Sequence, residues 1–251
     1  RNIVQMGYRD WFTHYVGMSH YYTLGWRGDE QRWVVDPLAP ALNLATRDWH
    51  QDLFTRLAQM KMTLALSLSF EIFAANAPDE WAQRDFEGNR ALTGWEPPST
   101  LIAPTNGDAL AYLERVYTAF GDLMMAAGLP PVFQIGEPWW WVSLGGGRVP
   151  HFYDAATGAL YLLETGRDLP VAHHNATETA DADQQLFLDW LGEKLGAATH
   201  RLRDHVKNRY AGAQVTLLFF TPQVLDDQAP MLKTANFPAA HWAFPAYDFV
   251  Q

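Results

Sequence analysis

The stretch Val132-Phe133-Gln134-Ile135-Gly136-Glu137-Pro138-Trp139-Trp140-Trp141 decides how this chain is read. It is β-branched or aromatic and almost wholly apolar up to Gly136. A carboxylate follows at once, then a proline that cannot donate to a ladder, then three indoles. A short run of this kind fits a buried parallel strand. Its C-terminal end then delivers Glu137 into an aromatic-walled cleft, with Gln134 as a further polar candidate on the strand itself.

Outward from that strand, helices and strands alternate. Upstream, Asp108 reads as the cap of a helix carrying Leu110, Leu113, Val116, Tyr117, Phe120, Leu123 and Met124, which Gly128 and then Pro130-Pro131 terminate. Residues 72–107 hold no long periodic segment and read as a long functional loop. Before it, Met62 to Glu71 is a second strand, again with a carboxylate at its end. Thr46 is a plausible cap for a helix with Trp49, Leu53, Leu57 and Met60 at helical spacing. Near the start, Met18 to Gly25 reads as a first strand and Gly25 to Glu30 as a polar loop.

Downstream, residues 142–180 form a second long excursion, with a flexible Gly145-Gly146-Gly147 and a turn at 153–158. Asp181 or Asp183 then caps a helix carrying Leu186, Leu188, Leu191, Leu195, Leu202 and Val206. Gln214 to Phe220 is a further strand, and residues 243–250 begin another. Connections into the strands are short and those out of them are long. That asymmetry predicts an α/β fold of the TIM-type (β/α) barrel kind, or a doubly wound sheet, working at the C-terminal ends of its strands. The absence of a Gly-x-Gly-x-x-Gly or Walker loop disfavours the nucleotide-binding alternative. Four or five strands fall short of eight, so either weak strands go unseen or the chain stops before the barrel closes. An end inside a strand at Gln251 favours the second. Residues 1–251 are read as one domain of a longer chain.

Composition narrows the partners. Apolar residues make up 48% and aromatics 14%, with 11 Trp, which suits a protein that presents rings to a ring-shaped ligand. Lys and Arg total 18 against 28 acidic residues, for a formal charge of −10, and no basic stripe occurs. Nucleic acid and anionic membrane are therefore not expected as partners. No apolar run approaches the ~20 residues of a bilayer span. With no cysteine, disulfides, thiolate metal sites and cysteine nucleophiles are excluded together.

Two carboxylates carry the candidate chemistry. Glu71 and Glu137 each follow a β-rich run, on what would be neighbouring strands. Parallel neighbours lie ~4.8 Å apart, so such carboxylates can reach the ~5–9 Å separation of a glycosidase pair. One would be protonated as general acid, its pKa raised by burial, and the other ionised as base or nucleophile. For Glu71 the competing reading is a loop anchor paired with an arginine or a backbone amide. Of Trp139, Trp140 and Trp141, not all can face one side of an extended chain. A cleft of indoles suits the flat C–H faces of sugars, and Trp95, Trp26, Tyr22 and His20 are further candidates for it. Asp248, at an expected strand end, is a third carboxylate. His173-His174 lacks a third ligand at metal spacing and reads as a solvated loop, so no metal or cofactor is expected. Asp226 and Asp227 read as turn or helix caps.

The strand–Gly136–Glu137–Pro138 sequence with aromatics after it resembles the Asn-Glu-Pro at the end of the fourth strand in the retaining (β/α)8 glycosidases of clan A. The resemblance implies that Glu137 is the acid/base. Gly136 stands where that family has the asparagine that contacts the sugar 2-hydroxyl, and the residue matching the family's second glutamate, on the seventh strand, is not identified from the sequence. The Gly-Glu-Pro-Trp-Trp-Trp run and long insertions also resemble the glycosidase-like barrels of tail-tip proteins in phages and gene transfer agents. Two functions are therefore expected from different classes. One is a glycoside hydrolase-like domain acting on a polysaccharide or cell-wall glycan. The other is a non-catalytic carbohydrate-binding or structural barrel of a phage tail-like assembly, with other tail proteins as partners and an extracellular or virion-associated location.

Overall fold

The computed structural model describes residues 5–17, 19–143 and 147–249. In chain order, β1 (Trp11–Tyr15) leads to a hairpin of β2 (Leu24–Arg27) and β3 (Arg32–Val35), then α1 (Leu44–Gln59) and β4 (Thr63–Ser69). A second small hairpin pairs β5 (Glu71–Phe73) with β6 (Ser99–Leu101), separated by a single 3-10 turn at Asp79–Trp81. Then come α2 (Gly107–Ala126), β7 (Val132–Gly136), α3 (Ala155–Thr165), α4 (Ala182–Arg209) and β8 (Gln214–Leu217). Short helices α5 (Thr221–Val224), α6 (Pro230–Asn236) and α7 (Ala239–Trp242) follow.

The main sheet has the order β1-β4-β7-β8, every neighbouring pair parallel. Strand order equals chain order, with no reversal. A doubly wound sheet reverses at its switch point, whereas a barrel adds each strand on the same side. The sheet is therefore the barrel type, and among the described residues it comprises four parallel strands and does not close. Helix-to-strand connections are short, at residues 60–62, 127–131 and 210–213, while 70–106 and 137–181 leave β4 and β7 as long excursions.

Side-chain alternation on the strands separates two environments. Leu64, Leu66 and Leu68 of β4 join Phe133, Ile135, Phe54, Leu57, Val116, Phe120, Leu202 and Val206 in the main core, under the helices. The opposite face carries small or polar groups. The register aligns Tyr15, Ser67, Gln134 and Thr216 in one row across all four strands. Aligned residues of a parallel sheet point the same way, so this row forms one inner layer beneath the strand ends. A second core lies under the excursion from β7. Trp140, Val142, Phe152 and Tyr161 pack there on Phe187, Leu191 and Leu195 of α4 and on Leu232 of α6.

Several local expectations are corrected. The first strand is 11–15, not 18–25, and Met18 lies outside the described residues. The segment after it is a loop because Asn43 draws its carbonyls inward, donating to the backbone oxygens of His20 and Tyr22. Asn43 and Asn106, not Thr46 and Asp108, cap α1 and α2, each accepting from the amide three residues on. Asp181 caps α4 as expected, in a reciprocal capping box with Gln184. The 153–158 turn is the first turn of α3, capped by Asp154. Leu24–Arg27 is a hairpin strand rather than a polar loop. Residues 243–249 form turns and bends, not a strand, and Asp248 folds back to accept from the Val215 amide. His173, expected in solvent, is buried with its amide donating to Tyr153. Gly145 and Gly146 lie outside the described residues. No described helix is long and apolar enough to cross a membrane.

Candidate functional site

β4 and β7 place their two carboxylates side by side because their ends are in register. Ser69 pairs with Gly136. One residue beyond Gly136 the chain turns through Glu137, which adopts φ 44°, a left-handed conformation uncommon for a residue with a side chain. Two residues beyond Ser69, Glu71 opens β5. Gly136 packs closely on β4: a Cβ there would lie 3.1 Å from the Leu68 carbonyl and the Ser67 hydroxyl, tighter than ordinary contact. The asparagine of the resembled glycosidases does not fit that position without moving β4.

Glu71 and Glu137 line one cavity of about 520 Å3, together with Trp95, Trp139 and Trp141 and with Leu218, Phe220 and Gln223 from beyond β8. Its size and mostly apolar lining are those of a small-ligand site. Arg148 and Asp226 close one side as an ion pair.

Burial raises the Glu71 pKa to about 8, the neighbouring Glu137 charge adds to the rise, and the Ser99 hydroxyl opposes it. Glu71 is 3% exposed, and its Oε2 has no hydrogen-bond partner. Burial also raises the Glu137 carboxyl, but Tyr15 and Ser69 favour its ionised form. Tyr15 donates from its hydroxyl to Glu137 Oε2 at 3.1 Å. Burial and the neighbouring charge thus favour the proton on Glu71, while Tyr15 and Ser69 favour the ionised form of Glu137. Gly17 makes room for the arrangement, because a Cβ there would collide with the Tyr15 and Ser69 hydroxyls.

The tryptophan run is held by two buried side chains. The Gln83 amide donates to the Trp139 carbonyl at 3.0 Å and accepts from the Trp141 amide at 2.7 Å. Asn236 accepts from the Trp140 amide at 2.6 Å and donates to its carbonyl at 3.1 Å. The chain bends at Trp139, whose amide donates to the Glu137 carbonyl at 3.0 Å. Trp139 and Trp141 face the cavity, while Trp140 points the other way, fully buried, with its indole N–H donating to the Leu191 carbonyl. The Trp141 Nε1 is buried without a hydrogen-bond partner.

Of the residues singled out from sequence, Glu71, Glu137, Trp95, Trp139 and Trp141 are brought together here. Trp140 belongs to the second core instead. Gln134 sits in the inner layer two register rows below Gly136. Tyr22 is buried and donates to Asn76. His20 stacks on Phe73 and lines a separate hollow with His14 and His50. Trp26 is half-exposed on the first hairpin against its cross-strand partner Trp33. Asp248 pairs with Lys207 beside the N-terminal end of β8, at the opposite end of the sheet. Its expected strand does not form, so nothing carries it to the working face. Sequence reasoning missed Tyr15, Gln83 and Arg148, and took Asp226 for a cap alone. Only Tyr15 had a local signal, as the last residue of the aromatic alternation Trp11-Phe12-Thr13-His14-Tyr15.

Among solved structures, the catalytic domain of β-amylase from Paenibacillus polymyxa superimposes with a TM-score of 0.55 at 10% identity, covering 85% of this chain and 59% of that one. A β-galactosidase from Bacillus circulans sp. alkalophilus matches at a TM-score of 0.46 and 14% identity, over 83% of this chain and 32% of that one. The first likeness speaks for the barrel fold alone; the second is too distant to carry an argument. No curated protein sequence matches. The sequence profile of the non-contractile tail sheath protein TIM barrel matches residues 1–251, and the chain belongs to that family.

Proposed function

We propose that this tail-sheath barrel domain engages a host-surface glycan in the cavity at its strand ends. The observation that carries the reading is the joint placement of Glu71, Glu137 and three indoles in one cavity at the C-terminal ends of adjacent parallel strands. Indole faces match the C–H faces of sugar rings, and Glu137 and Gln223 in the lining supply polar groups for hydroxyls. Other tail proteins are the partners that place the domain on the virion.

A second reading, hydrolysis of the bound glycan, is favoured by the unequal protonation of the pair. Glu71, neutral near pH 7, donates its proton to the leaving glycosidic oxygen. Glu137, whose ionised form Tyr15 and Ser69 favour, attacks the anomeric carbon or activates a water. The bond between anomeric carbon and leaving oxygen breaks as the new one forms, and no redox partner is needed.

The test is a screen of β-linked oligosaccharides and bacterial envelope polysaccharide with the wild type, Glu71→Gln and Glu137→Gln. Binding with reducing-end release that either substitution lowers by roughly 10²–10⁴-fold supports hydrolysis. Binding without turnover in the wild type leaves the binding function standing and removes the second reading. No binding to any of these glycans would overturn both.

A further inference from the structure

We infer that the cavity selects uncharged saccharides and rejects carboxylate-bearing ones, with the Arg148–Asp226 pair setting the choice; this rests on the glycan reading above. The charged residues of the lining are Glu71, Glu137, Asp226 and Arg148. Three of these are acids. The single base is already engaged, its guanidinium donating to Asp226 Oδ2. Both partners are held in place by backbone amides. The Arg148 carbonyl accepts from the Ala176 amide at 2.9 Å, and Asp226 Oδ1 accepts from the Gln228 amide at 2.9 Å. A uronate or sialate carboxylate entering this cavity meets the Glu137 charge and no free cation. Its desolvation would go uncompensated. The chain's net charge of −10 opposes it at longer range.

A hydroxyl group answers the same lining. It brings no charge to be repelled by Glu137 and can donate to that carboxylate in the lining. Selection by charge here depends on a single removable contact. Asp226→Asn keeps the Oδ1 acceptor for the Gln228 amide but withdraws the charge that occupies Arg148. The freed guanidinium can then take a sugar carboxylate in a bidentate contact.

The experiment measures, by calorimetry, binding of matched tetrasaccharides that differ only at C6: β-linked glucose against β-linked glucuronate, and β-linked galactose against β-linked galacturonate. The wild type is expected to prefer the neutral member of at least one pair by roughly tenfold or more. Asp226→Asn is expected to narrow that ratio by roughly tenfold through tighter binding of the acidic member. The double variant Arg148→Met/Asp226→Asn is expected to lose the gain. Because the readout of Asp226→Asn is a gain of binding, a misfolded variant cannot imitate it. Acidic members bound as tightly as neutral ones by the wild type would overturn the inference and leave the glycan reading intact. An unchanged ratio in Asp226→Asn would overturn the role of the pair. No binding to any tetrasaccharide by the wild type would remove the glycan reading for these linkages, and the inference with it.

Discussion

At the scale of single residues, Glu71 stores free energy that pH releases. Its folded pKa, about 8, lies above the ordinary value of 4.5, so the folded state binds its proton more tightly than the unfolded chain does. The resulting stability is fully present below about pH 4.5 and is lost as pH rises toward about 8. Glu71→Gln keeps the shape and removes the titration. Measured by urea denaturation, the wild type is expected to lose about 1–3 kcal/mol more stability than Glu71→Gln between about pH 5 and about pH 8. Equal losses would mean that this carboxyl titrates as it does in water. Glu137 differs because Tyr15 and Ser69 solvate its charge, and its left-handed φ shows the backbone accepting strain to aim it.

At the scale of elements, the Trp139-Trp140-Trp141 segment acts as a hinge between the second core and the cavity. Trp140 anchors it in the core, and Gln83 pins the backbone on either side. Trp140→Ala is expected to cost about 3–5 kcal/mol, because it opens a hole among Phe152, Leu191 and Leu232 and leaves the Leu191 carbonyl without its indole donor. Trp139→Ala, at a half-buried position, is expected to cost about 1 kcal/mol or less and to act on ligand binding instead. Gln83→Leu strands the Trp139 carbonyl and the Trp141 amide and is expected to cost about 2–3 kcal/mol. Chemical denaturation of the three variants checks the order; a Trp139 cost equal to that of Trp140 would contradict the alternation. That the three indoles would not all face one way was legible in the run itself. Which of them turned inward was not, because that depends on Gln83 and Asn236, more than fifty residues away in the chain.

At the scale of the whole molecule, protection is expected to follow sheet position. β4 and β7 are hydrogen-bonded on both sides and buried, whereas the β2–β3 hairpin is two-stranded with Trp26 and Trp33 half in solvent. Hydrogen exchange followed by mass spectrometry is expected to show amides at 64–68 and 133–135 slower than those at 24–27 and 32–35 by at least about tenfold. A hairpin protected as strongly as β4 would mean that another surface covers it. The fold also explains which expectations failed. β4, β7, β8, the three long helices and the short-in, long-out connections rest on local apolar periodicity and appear as read, whereas α3, whose start was read as a turn, does not. The first strand was misplaced because residues 19–23 look β-prone but are claimed by Asn43. The last was misplaced because Asp248 bonds back to Val215 instead of extending.

By itself the sequence determined the alternation of strands and helices, the burial of 132–136, and the arrival of a carboxylate at the end of each central strand. Those features depend on neighbours a few residues apart, where periodicity and proline leave little choice. Tertiary structure alone decided that Glu71 and Glu137 share one cavity, that burial raises both their pKa values, that Trp140 leaves the site, and that Arg148 meets Asp226 across it. Each of these depends on which groups distant in the chain come close enough to exclude water or complete a hydrogen bond, and only the folded packing brings them there.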